Sequence, residues 1–536
     1  MFKVRNKFFL LCIALALTAF LVSCENVSEE VDYPVDLELS YVENDVSDIS
    51  DIASEHEQAA QVIVTYDERI TLQILLDAAN EHRLGIEKVD VETVTELAYS
   101  REFVLYDRTI LLRGFTERLR VLTNFTQEEA IEDVEVLFEV LRYIYGPYQY
   151  FGGDDIFEPA RERIIEDIQN DHNISSTTFL MAIYRHLSPI ITDNHISIGH
   201  LRFGPEYKFL VNRETFFDRT SQGFYNRENG LYIEEIEGHN ISELMRLQLD
   251  EYGQHFYGPV LQGEAASASS QTITIVYEDG TIEQLELQEA PINRNIFQSP
   301  SYLMYVDGFP VVSLSRMMHM NEASMGEYAH NFLNYATELR DEPVVILDLR
   351  SNSGGTPHLP SMWMYLLTGE VVNGNSVQLI NWNVEYEYVW SPWDDMLIDP
   401  LYFSAKNFEY LKPIHTEPTI INGYIINNLS DRNIVEREQL LIILVNRYTT
   451  SSGEHFVDLA FNVENTIIIG QNTDGNLISD RMYPYLRMPN TNTIISLGIG
   501  VHLWPEEHFS EGAGIAPNVW VTGCALTATI AMLTND

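Results

Sequence analysis

Leu440 to Gly475 reads LLIILVNRYTTSSGEHFVDLAFNVENTIIIGQNTDG. Its opening run, Leu440–Val445, is short, apolar and β-branched, the composition of a strand buried on both faces. Phe456, Leu459, Ala460 and Val463 then fall at i, i+3, i+4 and i+7, which predicts one face of a helix. Thr466–Ile469 reads as a second buried strand. The unit strand–turn–helix–strand puts Ser451 and Ser452 at a helix N-terminus, where free N–H groups and the helix dipole favour developing negative charge. Ser451 and Glu454 also form S-x-x-E, a capping box that needs no chemistry. Other segments must decide between cap and nucleophile.

Working outward, Val344–Gly355 (VVILDLRSNSGG) is a buried strand ending in a glycine turn that leads toward a helix near Ser361–Leu367. Paired glycines let a backbone N–H approach a reacting carbonyl with no Cβ in the way. From about Tyr302 the pattern alternates strands (Pro310–Leu314, Val344–Leu349) with a helix over Ala323–Leu339, which implies a mostly parallel, helix-covered α/β sheet. Between about 370 and 438 the alternation lapses, and Trp382, Trp390, Trp393, Tyr386 and Tyr388 cluster in an aromatic-rich insertion.

Upstream, residues 61–200 read as a helical N-terminal domain. Thr126-x-x-Glu129 caps a helix with Ile131, Val134, Phe138, Leu141 and Tyr145 on one face, and Gly152-Gly153 breaks it. Further helices are expected over Glu158–Gln169 and Ser176–Leu187. Residues 201–295 change character. Thr272–Leu287 alternates on both sides of Asp279-Gly280, a hairpin signal, after a strand at Leu231–Gly238 and a helix at Ile241–Leu249. That order of elements resembles a PDZ module. Residues 296–536 form the remaining core.

The N-terminus has a basic stretch (Lys3, Arg5, Lys7) and an apolar run, Phe8–Val22, too short for a typical spanning helix. It closes on Leu21-Val22-Ser23-Cys24, which resembles the lipobox of bacterial lipoproteins and implies cleavage before Cys24 and lipidation of its thiol. Residues 1–23 are then a signal peptide and 24–60 an acidic tether. Of the three cysteines, Cys12 falls in the signal and Cys24 would carry lipid, so Cys524 has no disulfide partner in the mature chain. The net charge of -48 repels nucleic acid and anionic lipid, which excludes a nucleic-acid partner. Neither H-E-x-x-H, C-x-x-C nor a phosphate-binding G-x-x-x-x-G-K-[ST] occurs, so no metal and no cofactor is expected.

Taken together, DLRSNSGG, LVNRYTTSSGE, TIIIGQNTDG and EGAGIAPNVWV resemble, in order, the serine peptidases that include the carboxyl-terminal processing proteases and tricorn protease. Ile191-Thr-Asp193-Asn-His195 is similar to that family's short D-x-H segment. The resemblance implies a crotonase-like α/β core, often accompanied by a PDZ domain, acting on peptide or protein substrates. It makes Ser451 the nucleophile and the Ser452 N–H one oxyanion donor. Gly354 is the preferred second donor, with Gly355 as its rival. The processing proteases activate serine with the lysine of T-x-G-K. Here the run is Thr473-Asp474-Gly475-Asn476, and an amide cannot serve as that base. The tricorn-like branch uses a histidine and a glutamate instead, and His195 and Glu511 occupy the matching motifs. The expected protein is an extracytoplasmic, lipid-anchored serine peptidase. The alternative is an inactive peptidase-fold lipoprotein that binds peptides or scaffolds envelope proteins.

Overall fold

The computed structural model describes residues 70–98, 125–292, 300–317, 326–381, 419–421, 424–427, 433–479 and 485–535. The signal segment, Cys24, the tether and the aromatic cluster from Trp382 to Trp393 lie outside the described residues.

Helices α1 (Ile70–Gly85), α2 (Gln127–Tyr143), α3 (Gly153–Asn170) and α4 (Ser176–Leu187), with a short helix at Val91–Leu97, lie in the helical N-terminal region. Both halves of the capping box start α2: Thr126 N–H donates to Glu129 Oε2 at 2.7 Å and Glu129 N–H to Thr126 Oγ1 at 3.2 Å. Its apolar face buries Val134, Phe138 and Leu141, with Tyr145 just beyond its end, in one core with Phe157 of α3 and Phe179 of α4. The same core is completed from far along the chain by Leu486, Ile495, Leu497 and Ile499. The short strand Ser197–Ile198 pairs with Ile494–Ser496, so the segment just after His195 is stitched to residues near the C-terminus.

The β-rich segment supplies strands β1 (Tyr207–Val211), β2 (Met245–Leu249), β3 (His255–Glu264), β4 (Ser270–Tyr277) and β5 (Ile282–Glu289). The hairpin expected around Asp279-Gly280 is the β4–β5 pair, with Ile282 opposite Val276. The helix expected over Ile241–Leu249 is corrected: only Ile241–Leu244 is helical, and Met245 begins β2. Met245, Leu247 and Leu249 alternate on a ladder with β3. Nine residues cannot hold both periods, and long-range pairing outweighs a short helical pattern.

The remaining strands are β6 (Ser301–Val306), β7 (Phe309–Leu314), β8 (Val344–Asp348), β9 (Leu440–Val445), β10 (Thr466–Gly470) and β11 (Val519–Trp520). They join the β-rich segment in one sheet of order β6-β7-β8-β9-β10-β11-β2-β3-β1-β5-β4, parallel from β7 through β2, with Ile233–Ile236 pairing on the outer side of β4 and the hairpin Phe217–Thr220/Gly223–Asn226 joined to β3. Helices α5 (Gly326–Glu338), α6 (His358–Thr368) and α7 (Ser452–Ala460) cover one face and α1 with α8 (Ala525–Asn535) the other. The two-sided burial expected of Leu440–Val445 is realised residue by residue. Leu441, Ile443 and Val445 pack with Trp363, Phe332 and Phe456, whereas Leu440, Ile442 and Leu444 pack with Leu75 and Ala528. Each large apolar side chain buried this way contributes roughly 1.5–3 kcal/mol. The architecture is mixed α/β, with parallel strand ends β8 and β9 delivering the two turns that matter below.

Candidate active site

Strand β9 ends in a turn that its own side chains build. Asn446 Oδ1 accepts Tyr448 N–H at 3.0 Å and Ser351 N–H at 3.0 Å, which ties this turn to the one after β8. Thr450 N–H donates to Asn352 O at 3.0 Å, a second tie between them. Ser451 then takes φ 54° and ψ -118°, a conformation that L-residues adopt only when their surroundings impose it. What imposes it is Glu454, one turn into α7 and fully buried. Its Oε2 accepts Ser451 N–H at 2.8 Å and Asn476 N–H at 2.9 Å; its Oε1 accepts Thr473 Oγ1 at 2.7 Å and Gly475 N–H at 2.8 Å. Burial pushes the Glu454 carboxyl up to about 7, with Asp474 adding to the rise and the donors from Thr473, Gly475 and Asn476 opposing it.

The β8 turn opens on a buried bidentate pair, Arg350 Nε to Asp348 Oδ1 at 2.9 Å and Nη2 to Oδ2 at 2.7 Å. The glycines after it lie against the serine. A Cβ on Gly354 would stand 2.8 Å from Ser451 Cβ, and one on Gly355 would stand 1.8 Å from Met317 O. Gly354 N–H is already engaged by Asn352 Oδ1 at 3.0 Å. Gly354 O accepts Met317 N–H and Thr356 N–H donates to Met317 O. Since a trans peptide points its N–H opposite to its C=O, Gly355 N–H faces away from Met317. Gly355 O also faces away from Met317 and accepts Ser452 Oγ at 2.7 Å. Of the two glycine N–H groups, that of Gly354 is thus engaged within its own turn and that of Gly355 is directed away from Met317.

His195 arrives from the N-terminal side. Its Nε2 is 3.3 Å from Ser451 Oγ, although the two residues are 256 apart in sequence. The imidazole is mostly buried and Ser451 is half-buried. Two carboxylates grip the backbone of the histidine turn. Asp193 Oδ1 accepts His195 N–H at 2.8 Å, and Glu511 Oε1 accepts Asn194 N–H at 2.8 Å. Glu511 Oε2 also takes Leu477 N–H at 3.2 Å and Ile478 N–H at 2.9 Å. Burial, followed by the Asp193 charge, holds the Glu511 carboxyl well above the usual carboxylate range.

Asn476, at the position of the family's lysine, donates its backbone N–H to Glu454 and its amide Nδ2 to Asp474 Oδ2 at 3.3 Å. Arg447 ties the surrounding loops together, with Nη2 to Gly512 O at 2.8 Å and Nη1 to Ala513 O at 3.0 Å and to Thr473 O. Among the described residues no group of three His, Cys, Asp or Glu side chains is set to hold a metal.

Sequence reasoning left out several residues of this site. The S-x-x-E pattern places Glu454 as the capping partner of Ser451, which it is, but gives no sign of its bonds to Thr473, Gly475 and Asn476. Asp193 was quoted in D-x-H without a role. Tyr145 was read as an apolar helix face, and Ser479 was not singled out; both hydroxyls donate to Asp193 Oδ2 at 2.7 Å. The only advance signal for these was the acidic residue two before a histidine.

Residues 311–521 match peptidase family S41. Among curated proteins none matches the chain. Solved structures similar to it include mature CPAF complexed with lactacystin, at 14% identity over 76% of this chain and 98% of that one, TM-score 0.38. The photosystem II D1 C-terminal processing protease is 15% identical over 73% of this chain and 92% of its own, TM-score 0.33. The tricorn protease is 12% identical over 76% of this chain and 36% of its own, TM-score 0.29.

Proposed function

Because residues 311–521 belong to peptidase family S41, we propose that the protein is a serine peptidase acting on peptide or protein substrates through Ser451, His195 and Glu511. The observation that carries this reading is the 3.3 Å approach of His195 Nε2 to Ser451 Oγ. A serine hydroxyl attacks at neutral pH only when a base takes its proton, and Asn476 cannot be that base. His195 accepts the Ser451 proton as Oγ bonds to the scissile carbonyl carbon. The oxyanion forms between Ser452 N–H, at the start of α7, and Gly355 N–H. His195 returns its proton to the leaving amine, then activates the water that hydrolyses the acyl-enzyme. Glu511 acts on the imidazole through the Asn194 backbone.

A fluorophosphonate probe tests the reading, since labelling requires an activated nucleophile. The expected adduct is on Ser451. An unlabelled, folded protein would favour the second reading, an inactive peptidase-fold lipoprotein that binds peptides, for which the asparagine at 476 is the motivating residue.

The anchor is a separate part of the proposal. Leu21–Cys24 supports lipidation of Cys24 and an extracytoplasmic, membrane-anchored location. Cys24→Ala is expected to release the protein from membranes or block its processing; an unmodified mature N-terminus elsewhere, found by mass spectrometry, would sink the anchor.

A further inference from the structure

We propose that Asp193, held by Tyr145 and Ser479, is the positioning carboxylate of His195 and supplies the negative charge that the imidazolium meets during turnover. The inference rests on the peptidase reading and deepens it, since the family pattern points to Glu511 for this role.

Three donors converge on Asp193, which is completely buried: Tyr145 O–H and Ser479 O–H at 2.7 Å each, and His195 N–H at 2.8 Å. That is the set a carboxylate accepts, with both oxygens engaged. The bond to His195 is to the base's own peptide N–H, so Asp193 fixes the backbone from which the imidazole projects. Glu511 reaches only the preceding peptide and spends its other oxygen on Leu477 and Ile478. Burial, followed by the Asp193 charge, raises the Glu511 carboxyl well above the usual carboxylate range.

Ser451 Oγ meets the imidazole, Asp193 and Glu511 hold the backbone of its turn, Tyr145 holds Asp193, and Tyr150 and Glu454 interact electrostatically with Glu511. Tyr145 is held neutral, because burial and the Asp193 charge both raise its hydroxyl well above the usual tyrosine range. It stays a donor throughout the working pH range. Tyr145 follows α2 and packs in the helical core, so the base is positioned by a segment remote from the sheet that carries the nucleophile.

Asp193→Asn keeps the shape but removes the charge and turns amide hydrogens toward groups that are themselves donors. Its kcat is expected to fall by at least about 10²-fold with KM little changed. The acid limb of kcat/KM should move down by about one pH unit, because losing a nearby negative charge lowers the imidazole pKa. NMR titration of His195 should move by the same amount. Tyr145→Phe and Ser479→Ala keep the charge, so each should lower kcat severalfold and leave the limb in place. Glu511→Gln should stay within about 10-fold of wild type. An unmoved limb in Asp193→Asn, or a Glu511→Gln loss larger than that of Asp193→Asn, overturns the assignment. Should Asp193→Asn fail to fold, the Tyr145→Phe/Ser479→Ala double variant takes its place, and unchanged kcat in it overturns the proposal. If wild type itself neither labels nor hydrolyses, the peptidase reading fails. The His195 titration then still decides this inference, and an unshifted imidazole in Asp193→Asn rejects it.

Discussion

The turn that carries Ser451 is built mostly from its neighbours in sequence, whereas the turn that carries His195 is held by side chains remote along the chain. Ser451 N–H finds Glu454 three residues on, and that carboxylate reaches Thr473, Gly475 and Asn476 within the same strand–turn–helix–strand unit. Asp193 is satisfied by Tyr145, 48 residues before it, and Ser479, 286 after it; Glu511 is 317 residues from Asn194. The two turns meet at one contact. A local turn carries its geometry with it as soon as its strand and helix form. A remote one exists only once three segments have docked, so the base should be the more fragile half of the site.

The largest expected effect removes the local half. Ser451→Ala should cost on the order of 10⁴ or more in kcat, with unchanged melting, as read by peptide hydrolysis and loss of probe labelling. Mapping of the adduct to Ser452 would instead shift the nucleophile by one residue.

Removing the remote half should be nearly as severe. His195→Ala is expected to be almost inactive while circular dichroism shows an intact fold. Adding Asn476→Lys to it should restore nothing unless the amine is desolvated enough to be neutral, because a charged amine accepts no proton. Full activity in folded His195→Ala would overturn the mechanism and leave the family assignment untouched.

Glu454→Gln probes what imposes the Ser451 backbone. The amide presents donors to Ser451, Asn476, Thr473 and Gly475, all donors themselves, and should lower kcat by about 10 to 10²-fold. It also has a stability signature with a definite sign. The Glu454 pKa in the folded protein, about 7, lies above its ordinary value of 4.5. The folded state therefore binds the extra proton, and this group's contribution to stability is complete below about pH 4.5 and lost as pH rises through about 7, by roughly 3 kcal/mol. Denaturant titrations at pH 5 and pH 8 should show a smaller stability loss across that interval in Glu454→Gln than in wild type. Equal losses would mean that Glu454 is not the titrating group.

The smallest effect is expected at Ser452. Ser452→Ala keeps the N–H and removes only the Oγ bond to Gly355 O, so activity should fall a few-fold at most. A loss comparable to that of Ser451→Ala would mean that the Gly355 turn depends on that one hydroxyl.

How much of this was legible beforehand follows the same division. Strand Leu440–Val445, the Thr126–Glu129 cap and the Asp279-Gly280 hairpin were readable because each depends on the order of a few adjacent residues. The Ile241–Leu249 segment was misread because Met245–Leu249 takes its conformation from β3 and from Trp520 of β11, which no local pattern reveals. The environments of Gly354 and Gly355 were out of reach for a similar reason. Choosing between them needs the Asn352 side chain and the Met317 bridge, and both are matters of three-dimensional proximity.

By itself the sequence determined the mixed α/β class, the strand–turn–helix unit around Ser451 and the presence of Asp193, His195 and Glu511 in family-like motifs, since periodicity, caps and motifs are local properties. Only the tertiary structure decided which groups surround each of them. It set Tyr145 and Ser479 on Asp193, it placed four donors on Glu454, and it brought His195 Nε2 to 3.3 Å from Ser451 Oγ. The physical reason is that a buried carboxylate must find its donors wherever the fold places them, and chain order carries no record of that distance.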